Sequence, residues 1–262
     1  MNPPVALTIA GVDSSGGAGI AADLAAFASQ NVWGACVVTA VTAQNSVGVT
    51  AIQAIDADVI AAQIDAVCSD MTVGAIKTGM LGSTEIIRVV AATLPAGIPL
   101  VVDPVMVATT GAVLATGDGL EALIERATLV TPNAYEAEVL TGIAITDEDA
   151  MARAARALLE RGCDAALVKG GHIGADDARD CLIVQGQAGP IWLESARVAT
   201  ADTHGTGCVL SAAIAARLAR GDDLVTACRR GKEVVTDAIR HRVTLGKGVG
   251  AVDPLGRGAA SS

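Results

Sequence analysis

The chain has 262 residues, a formal net charge of −10, 52% hydrophobic residues and only 2% aromatic ones. Such acidity, without clustered Lys and Arg or stacking aromatics, excludes a nucleic-acid backbone as the partner. The length allows a large buried core, and with 29 glycines and few aromatics that core has to come from Ala, Val, Leu and Ile, as in helices layered on a parallel sheet.

Six cysteines without C-x-x-C spacing give no disulfide framework and no zinc pattern, although His204 and Cys208 are four apart. The first residues show no basic region followed by a long apolar segment, and charge interrupts the apolar helices before membrane-spanning length. A soluble chain in a reducing cytoplasm is the expectation. No composition break marks a linker, so residues 1–245 read as one domain and residues 246–262 as a glycine-rich coil tail.

Val5 to Ala10 is a short apolar run bounded by Pro4 and Gly11, which predicts a buried strand. The glycine loop Gly11 to Gly19 follows, and Ile20 to Ser29 has helical character. Because no Gly-Lys-Ser/Thr is present, this is not a P-loop. Asp23 lies one turn inside an apolar helix start, either as a solvated partner of the helix dipole or facing the cleft above the strand ends.

Ala35 to Val41 predicts the next strand, leading into Thr42-Ala43-Gln44-Asn45, where Gln44 offers a donor and an acceptor to the edge of a heterocycle. Val49 to Ala54 reads as an additional strand and Asp56 to Cys68 as a helix capped by Asp56. Val73 to Thr78 is a strand ending in Gly79-Met80-Leu81, and Ser83 caps a helix to about Leu94. Leu100 to Asp103 and Leu129 to Thr131 are further strands, the second running into the loop Pro132-Asn133-Ala134-Tyr135-Glu136. A helix over Asp147 to Arg161 precedes the strand Ala165 to Lys169, which closes in Gly170-Gly171-His172. Asp180 to Gln185 and Pro190 to Leu193 read as an antiparallel pair, and Asp222 to about Arg242 as a last helix. Strand after strand ends in a polar or glycine-bearing loop, where open parallel sheets take ligands.

Among these loops Asp202-Thr203-His204-Gly205-Thr206-Gly207-Cys208 opens directly into the helical run Val209 to Ala219. Helix starts carry unpaired amides and partial positive charge, so an anion is the natural ligand, unless Asp202 or Thr203 serves as the cap. Cys208, within the first turn, is expected to have a thiol of lowered pKa.

These motifs in this order resemble the ribokinase-like superfamily, and within it the hydroxymethylpyrimidine and phosphomethylpyrimidine kinases of thiamine biosynthesis. The resemblance runs from Ala6 to Arg242. It is carried by Ala10-Gly11 with Ser15-Gly16-Gly17-Ala18-Gly19-Ile20, Ala22-Asp23-Leu24, Thr39 to Asn45, Lys77-Thr78-Gly79-Met80-Leu81, Val102 to Val107, Thr131-Pro132-Asn133 with Glu136-Ala137-Glu138, Lys169 to His172, and the Asp202 to Cys208 loop. It implies a three-layer α/β fold, a mostly parallel sheet with helices on both faces. It also implies ATP-dependent, Mg²⁺-assisted phosphorylation of 4-amino-5-hydroxymethyl-2-methylpyrimidine and then of its monophosphate, in a cytoplasmic homodimer.

By the same resemblance Gly11, Asp23, Gln44, Met80 and Val107 line the pyrimidine pocket. Asp103 and Glu136 serve the metal, while Asn133, Lys169, Thr203 and Thr206 serve the nucleotide. Gly205, Thr206 and Gly207 form the anion hole, and Cys208 takes the proton of the hydroxymethyl group. The chain departs from the family at Thr109, where Lys is common, with the second phosphorylation the step expected to suffer. The first loop has Gly11-Val12-Asp13-Ser14 where a Ser-Asp-Pro form is usual, and residues 246–254 lack the usual ending. A pyridoxal kinase and a non-catalytic pyrimidine sensor are the competing readings.

Overall fold

The computed structural model describes residues 2–106, 119–171 and 177–258. The expectations placed on Val107, Thr109 and His172 lie outside the described residues.

Nine strands form one sheet: β1 (Val5–Asp13), β2 (Trp33–Gln44), β3 (Val49–Ala54), β4 (Val73–Thr78), β5 (Leu100–Val102), β6 (Leu129–Val130), β7 (Ala165–Val168), β8 (Asp177–Val184) and β9 (Ile191–Ala196). Their order across the sheet is β3-β2-β1-β4-β5-β6-β7-β8-β9. From β2 through β1, β4, β5 and β6 to β7 every pairing is parallel. The pairings of β3, β8 and β9 are antiparallel. The order reverses at β1, since β2 lies on one side of it and β4 on the other, and a ligand crevice is expected at such a switch point.

Eight helices complete the described chain: α1 (Gly19–Ser29), α2 (Ala57–Asp70), α3 (Thr84–Thr93), α4 (Glu121–Ile124), α5 (Ala134–Thr141), α6 (Glu148–Leu159), α7 (Thr206–Ala219) and α8 (Leu224–Arg240). Central strands buried on both faces read as unbroken apolar runs, and their alternate residues feed two separate cores. Leu7, Val102, Val130 and Val168 pack with side chains of α2 to α6. Ala6, Val101, Leu129 and Leu167 pack on the other face with α1, α7 and α8. The result is the α/β/α sandwich expected from the sequence.

The differences are local. The first strand runs past Gly11 to Asp13 through an irregularity in its pairing with β2 between Ala10 and Val12. A glycine inside a strand tolerates such a bulge, so Gly11 does not end it. Asp56 stands at the cap position of α2, but its side chain makes no capping bond. Pro132 to Glu136, expected as loop, instead opens α5 with a capping box in which Asn133 accepts from the Glu136 amide and Glu136 accepts from the Asn133 amide. After α8 the chain returns to the site: Ala251 pairs with Val243 and with His204, and the Gly248 and Val249 amides donate to Ser46. Among the described residues no helix is long and apolar enough to cross a membrane.

Phe27 is the chain's single phenylalanine and is fully buried where α1 meets α7 and the sheet. Phe27→Ala should destabilise the fold by about 3–5 kcal/mol in urea unfolding; a loss below about 1 kcal/mol would contradict the packing described.

Candidate active site

The carboxyl ends of β1, β2, β4, β5, β6 and β7 surround one cleft, the place where open parallel sheets take small molecules. Its lining comes from Gly11, Val12 and Asp13 of β1, from Ala18 and Gly19 at the start of α1, and from Thr42 and Gln44 of β2. Met80, Asp103, Val105, Asn133, Glu136 and Lys169 follow, with Thr203 to Cys208 at the start of α7. Nine positions scattered over the sequence as candidate pocket, nucleotide and metal residues therefore meet in one place, and so do Cys208 and the whole proposed anion hole.

The start of α7 is shaped by close backbone approach. Gly205 has φ +84°, and a Cβ there would overlap the Gly17 carbonyl oxygen, so only glycine lets the two loops meet. Gly205 is the cap residue and supplies no side-chain bond, so the alternative of an Asp202 or Thr203 cap falls away. Asp202 is engaged elsewhere, accepting from the Gly250 amide at 2.7 Å. The first amides of α7 thus face the cleft without a side-chain cap, and an anion would complete them.

Two lysines and three carboxylates sit beneath. Lys169 Nζ lies 3.0 Å from Asp103 Oδ1 and 3.9 Å from Glu136 Oε2. Asp103 also accepts from Thr131 at 3.2 Å and from Ser211 of α7 at 3.1 Å. Burial works against its charge, but Lys169 and Lys77 outweigh that and hold the carboxyl below the usual range. Burial raises Glu136 to about 7, with Lys169 opposing and Asp103 adding to the shift.

Asp23 is not in the cleft lining. It is fully buried, accepting two bonds from Lys77 Nζ at 2.8 and 2.9 Å and one from Thr8 at 2.6 Å. Neither a solvated face nor the pocket claims it, because a buried lysine 54 residues away needs a counter-ion. Against the desolvation that opposes it, Asp23, Cys208 and Asp103 keep Lys77 a cation.

Cys208 lines the cleft and is half-buried, but its thiol is pushed up to about 11 by desolvation, with Lys77 acting the other way. The expected lowering is therefore reversed: the helix start favours a thiolate, yet removal of water and the nearby Asp23 and Asp103 charges outweigh it.

Sequence reasoning passed over a buried pair in the same wall. His204 Nε2 lies 2.7 Å from Asp13 Oδ2 across 191 residues of chain, and Gln44 reaches to 3.5 Å from the same nitrogen. Asp13 was visible only as a departure in the first loop and His204 only as a stray metal ligand. Among the described residues no cluster of three or more His, Cys, Asp or Glu is arranged to hold a metal.

The model of the phosphomethylpyrimidine kinase family matches residues 13–253. A hydroxymethylpyrimidine/phosphomethylpyrimidine kinase of Synechococcus elongatus is 47% identical over 261 residues, covering 98% of both chains. An ADP complex of Bacillus subtilis pyridoxal kinase superposes with a TM-score of 0.87 at 36% identity, covering 96% of this chain and 97% of that one. A phosphomethylpyrimidine kinase of Clostridium difficile superposes with a TM-score of 0.76 at 39% identity, covering 90% and 99%.

The buried Lys77–Asp23 pair gives a sharp test. Asp23→Ala leaves a buried ammonium unpaired and should destabilise by about 3–5 kcal/mol in urea unfolding, whereas Asp23→Leu with Lys77→Met together should lose far less. Equal losses for the single and double variants would contradict the pairing.

Proposed function

The chain belongs to the phosphomethylpyrimidine kinase family, and we propose that its cleft transfers a phosphoryl group from ATP to the hydroxymethyl group of 4-amino-5-hydroxymethyl-2-methylpyrimidine, and a second to the resulting monophosphate, in thiamine biosynthesis. One observation supports this most: the side-chain-free start of α7, Cys208 and Gln44 all face the same cavity. An anion-binding site, a proton acceptor and a heterocycle-reading amide are the three parts such a reaction requires.

Phosphoryl transfer is mostly positioning and charge neutralisation. In this proposal the amides of Gly205, Thr206, Gly207 and Cys208 receive the moving phosphoryl oxygens. Lys169 lies beside them: a Cβ on Gly207 would come 3.3 Å from its Nζ and 3.8 Å from Asp103 Oδ2, so glycine leaves room for phosphate between amide and ammonium. Thr203, Thr206 and Asn133 complete the nucleotide side. Gly11, Gln44 and Met80 hold the ring; Met80 is the neighbour a Cβ on Gly11 would strike, so both shape the same wall. Asp23 and its partner Lys77 support this wall from below rather than touching the ring.

Asp103 and Glu136 suit Mg²⁺, since a hard cation that keeps several waters needs only one or two carboxylates, and both are buried acids on the cleft wall. When bound there it would neutralise phosphate charge. ADP in the Bacillus subtilis pyridoxal kinase complex is in keeping with a nucleotide donor.

Cys208 can accept the hydroxymethyl proton only as thiolate. With the thiol near 11, the ionised fraction falls tenfold for each pH unit below that value, so the sign is fixed: activity rises with pH. Single-turnover rates at saturating ATP and alcohol should climb about tenfold per unit from pH 7 to 9. Cys208→Ala should bind both ligands, lose about 10²- to 10⁴-fold in transfer and show no such slope. A flat profile in the unmodified enzyme, or near-normal turnover by Cys208→Ala, would remove the thiol from the reaction.

A pyridoxal kinase is the second reading, favoured by the higher of the two TM-scores. Turnover of the aminopyrimidine alcohol and of pyridoxal, each with ATP, separates the two. The expected result is a kcat/KM at least tenfold higher for the aminopyrimidine, and a preference for pyridoxal would overturn the assignment.

A further inference from the structure

Gln44 can discriminate between rings only if its amide is held one way round, because rotation by half a turn exchanges its donor and its acceptor. The groups around it settle the orientation. Thr42 Oγ1 has a single hydrogen, and its shorter bond, 2.9 Å, goes to the Val12 carbonyl. Toward the Gln44 terminus 3.2 Å away it therefore presents a lone pair, which calls for the amide nitrogen.

The other terminus gives the same answer independently. His204 Nε2 sits 2.7 Å from the Asp13 carboxylate in a buried pair, so this nitrogen carries a hydrogen. His204 Nδ1 is buried with no hydrogen-bond partner among the described residues. A hydrogen on Nδ1 would be a donor without an acceptor, more costly than a bare lone pair, so Nε2 is the nitrogen that holds the hydrogen. Having no lone pair to offer, Nε2 is matched by the amide oxygen at 3.5 Å as a secondary contact. The two ends are nearly indistinguishable by shape, and the partners decide.

We propose that Asp13 and His204 are positioning residues that, with Thr42, lock the Gln44 amide with its oxygen toward His204 and its nitrogen toward Thr42, and so set selectivity for a ring carrying an amino group beside a ring nitrogen. The inference rests on the functional reading above, in which Gln44 faces the pyrimidine. Fixed this way, the amide offers one N–H and one C=O in a set order, the complement of a ring nitrogen next to an exocyclic N–H. Pyridoxal has no amino group to give to that oxygen. His204 is itself held in place: its amide donates to the Gly250 carbonyl, its carbonyl accepts from Val252, and a Cβ on Gly17 would strike its ring. The loop that grips the phosphate and the residue that reads the ring therefore share one anchor.

Steady-state kinetics of the full chain with ATP and each acceptor, 4-amino-5-hydroxymethyl-2-methylpyrimidine or pyridoxal, test this. Asp13→Asn lets the imidazole change tautomer and should raise KM for the aminopyrimidine about tenfold or more. KM for ATP should stay within about twofold, and the aminopyrimidine-to-pyridoxal ratio of kcat/KM should fall about tenfold. In a Gln44→Ala background Asp13→Asn should change neither acceptor KM further, which a purely structural role would not predict. Thr42→Val removes the second anchor without touching the Asp13–His204 contact and should lower the same ratio, so the test survives if Asp13→Asn folds poorly. Equal losses with both acceptors, or additive losses in the Gln44→Ala background, overturn the positioning role. If the unmodified enzyme fails to use the aminopyrimidine at all, the functional reading fails first, and the two failures are distinct. Nitrogen-15 spectra of the imidazoles give a readout free of activity: His204 should carry hydrogen on Nε2, and a bare Nε2 overturns the assignment.

Discussion

The site depends on two pieces of backbone approaching closer than any side chain allows. Gly205 meets the Gly17 carbonyl in a left-handed conformation, and Gly19 lies equally close to the Gly11 carbonyl. With those contacts made, the start of α7 and the start of α1 stand side by side over the end of β1. The first amides of α7 then point into a cleft rather than into a protein side chain. Everything else in the site serves that opening.

The charges beneath it follow from the same geometry. A helix start that is to hold phosphate needs cations nearby, yet cations in a buried wall need carboxylates. Lys77 is held by Asp23, and Lys169 by Asp103 and Glu136. The two pairs differ in consequence. Lys77 and Asp23 are sealed off and act as a fixed dipole under Cys208, while Lys169 keeps partial exposure in the cleft where phosphate would arrive. Cys208 is caught between these effects: the helix start and Lys77 favour its thiolate, and loss of water opposes it and wins.

Much of this was legible in the sequence. Parallel strands buried on both faces leave continuous apolar runs, so β1, β4 and β7 could be placed from local pattern alone, and the loops after them marked the cleft. What escaped was non-local. Asp23 looks like a surface or pocket acid until Lys77, 54 residues on, is found beneath it. Asp13 and His204 are separated by 191 positions and meet only because β1 and α7 converge. Helix α5 was missed for a different reason: eight residues with a weak apolar face give little periodicity, although the Asn133 and Glu136 spacing of a capping box was present. The thiol was misjudged because a helix start is a local feature and desolvation is a property of the folded cleft.

The most direct measurement is a crystal structure of the full chain with ADP, Mg²⁺, aluminium fluoride and the aminopyrimidine alcohol, the fluoride standing in for the phosphoryl group in flight. The fluoride should lie within hydrogen-bond distance of amides between Gly205 and Cys208, with the alcohol oxygen between it and the Cys208 sulfur. Fluoride bound to the Gly11 to Gly19 loop instead, or a sulfur turned away from the alcohol, would contradict this placement.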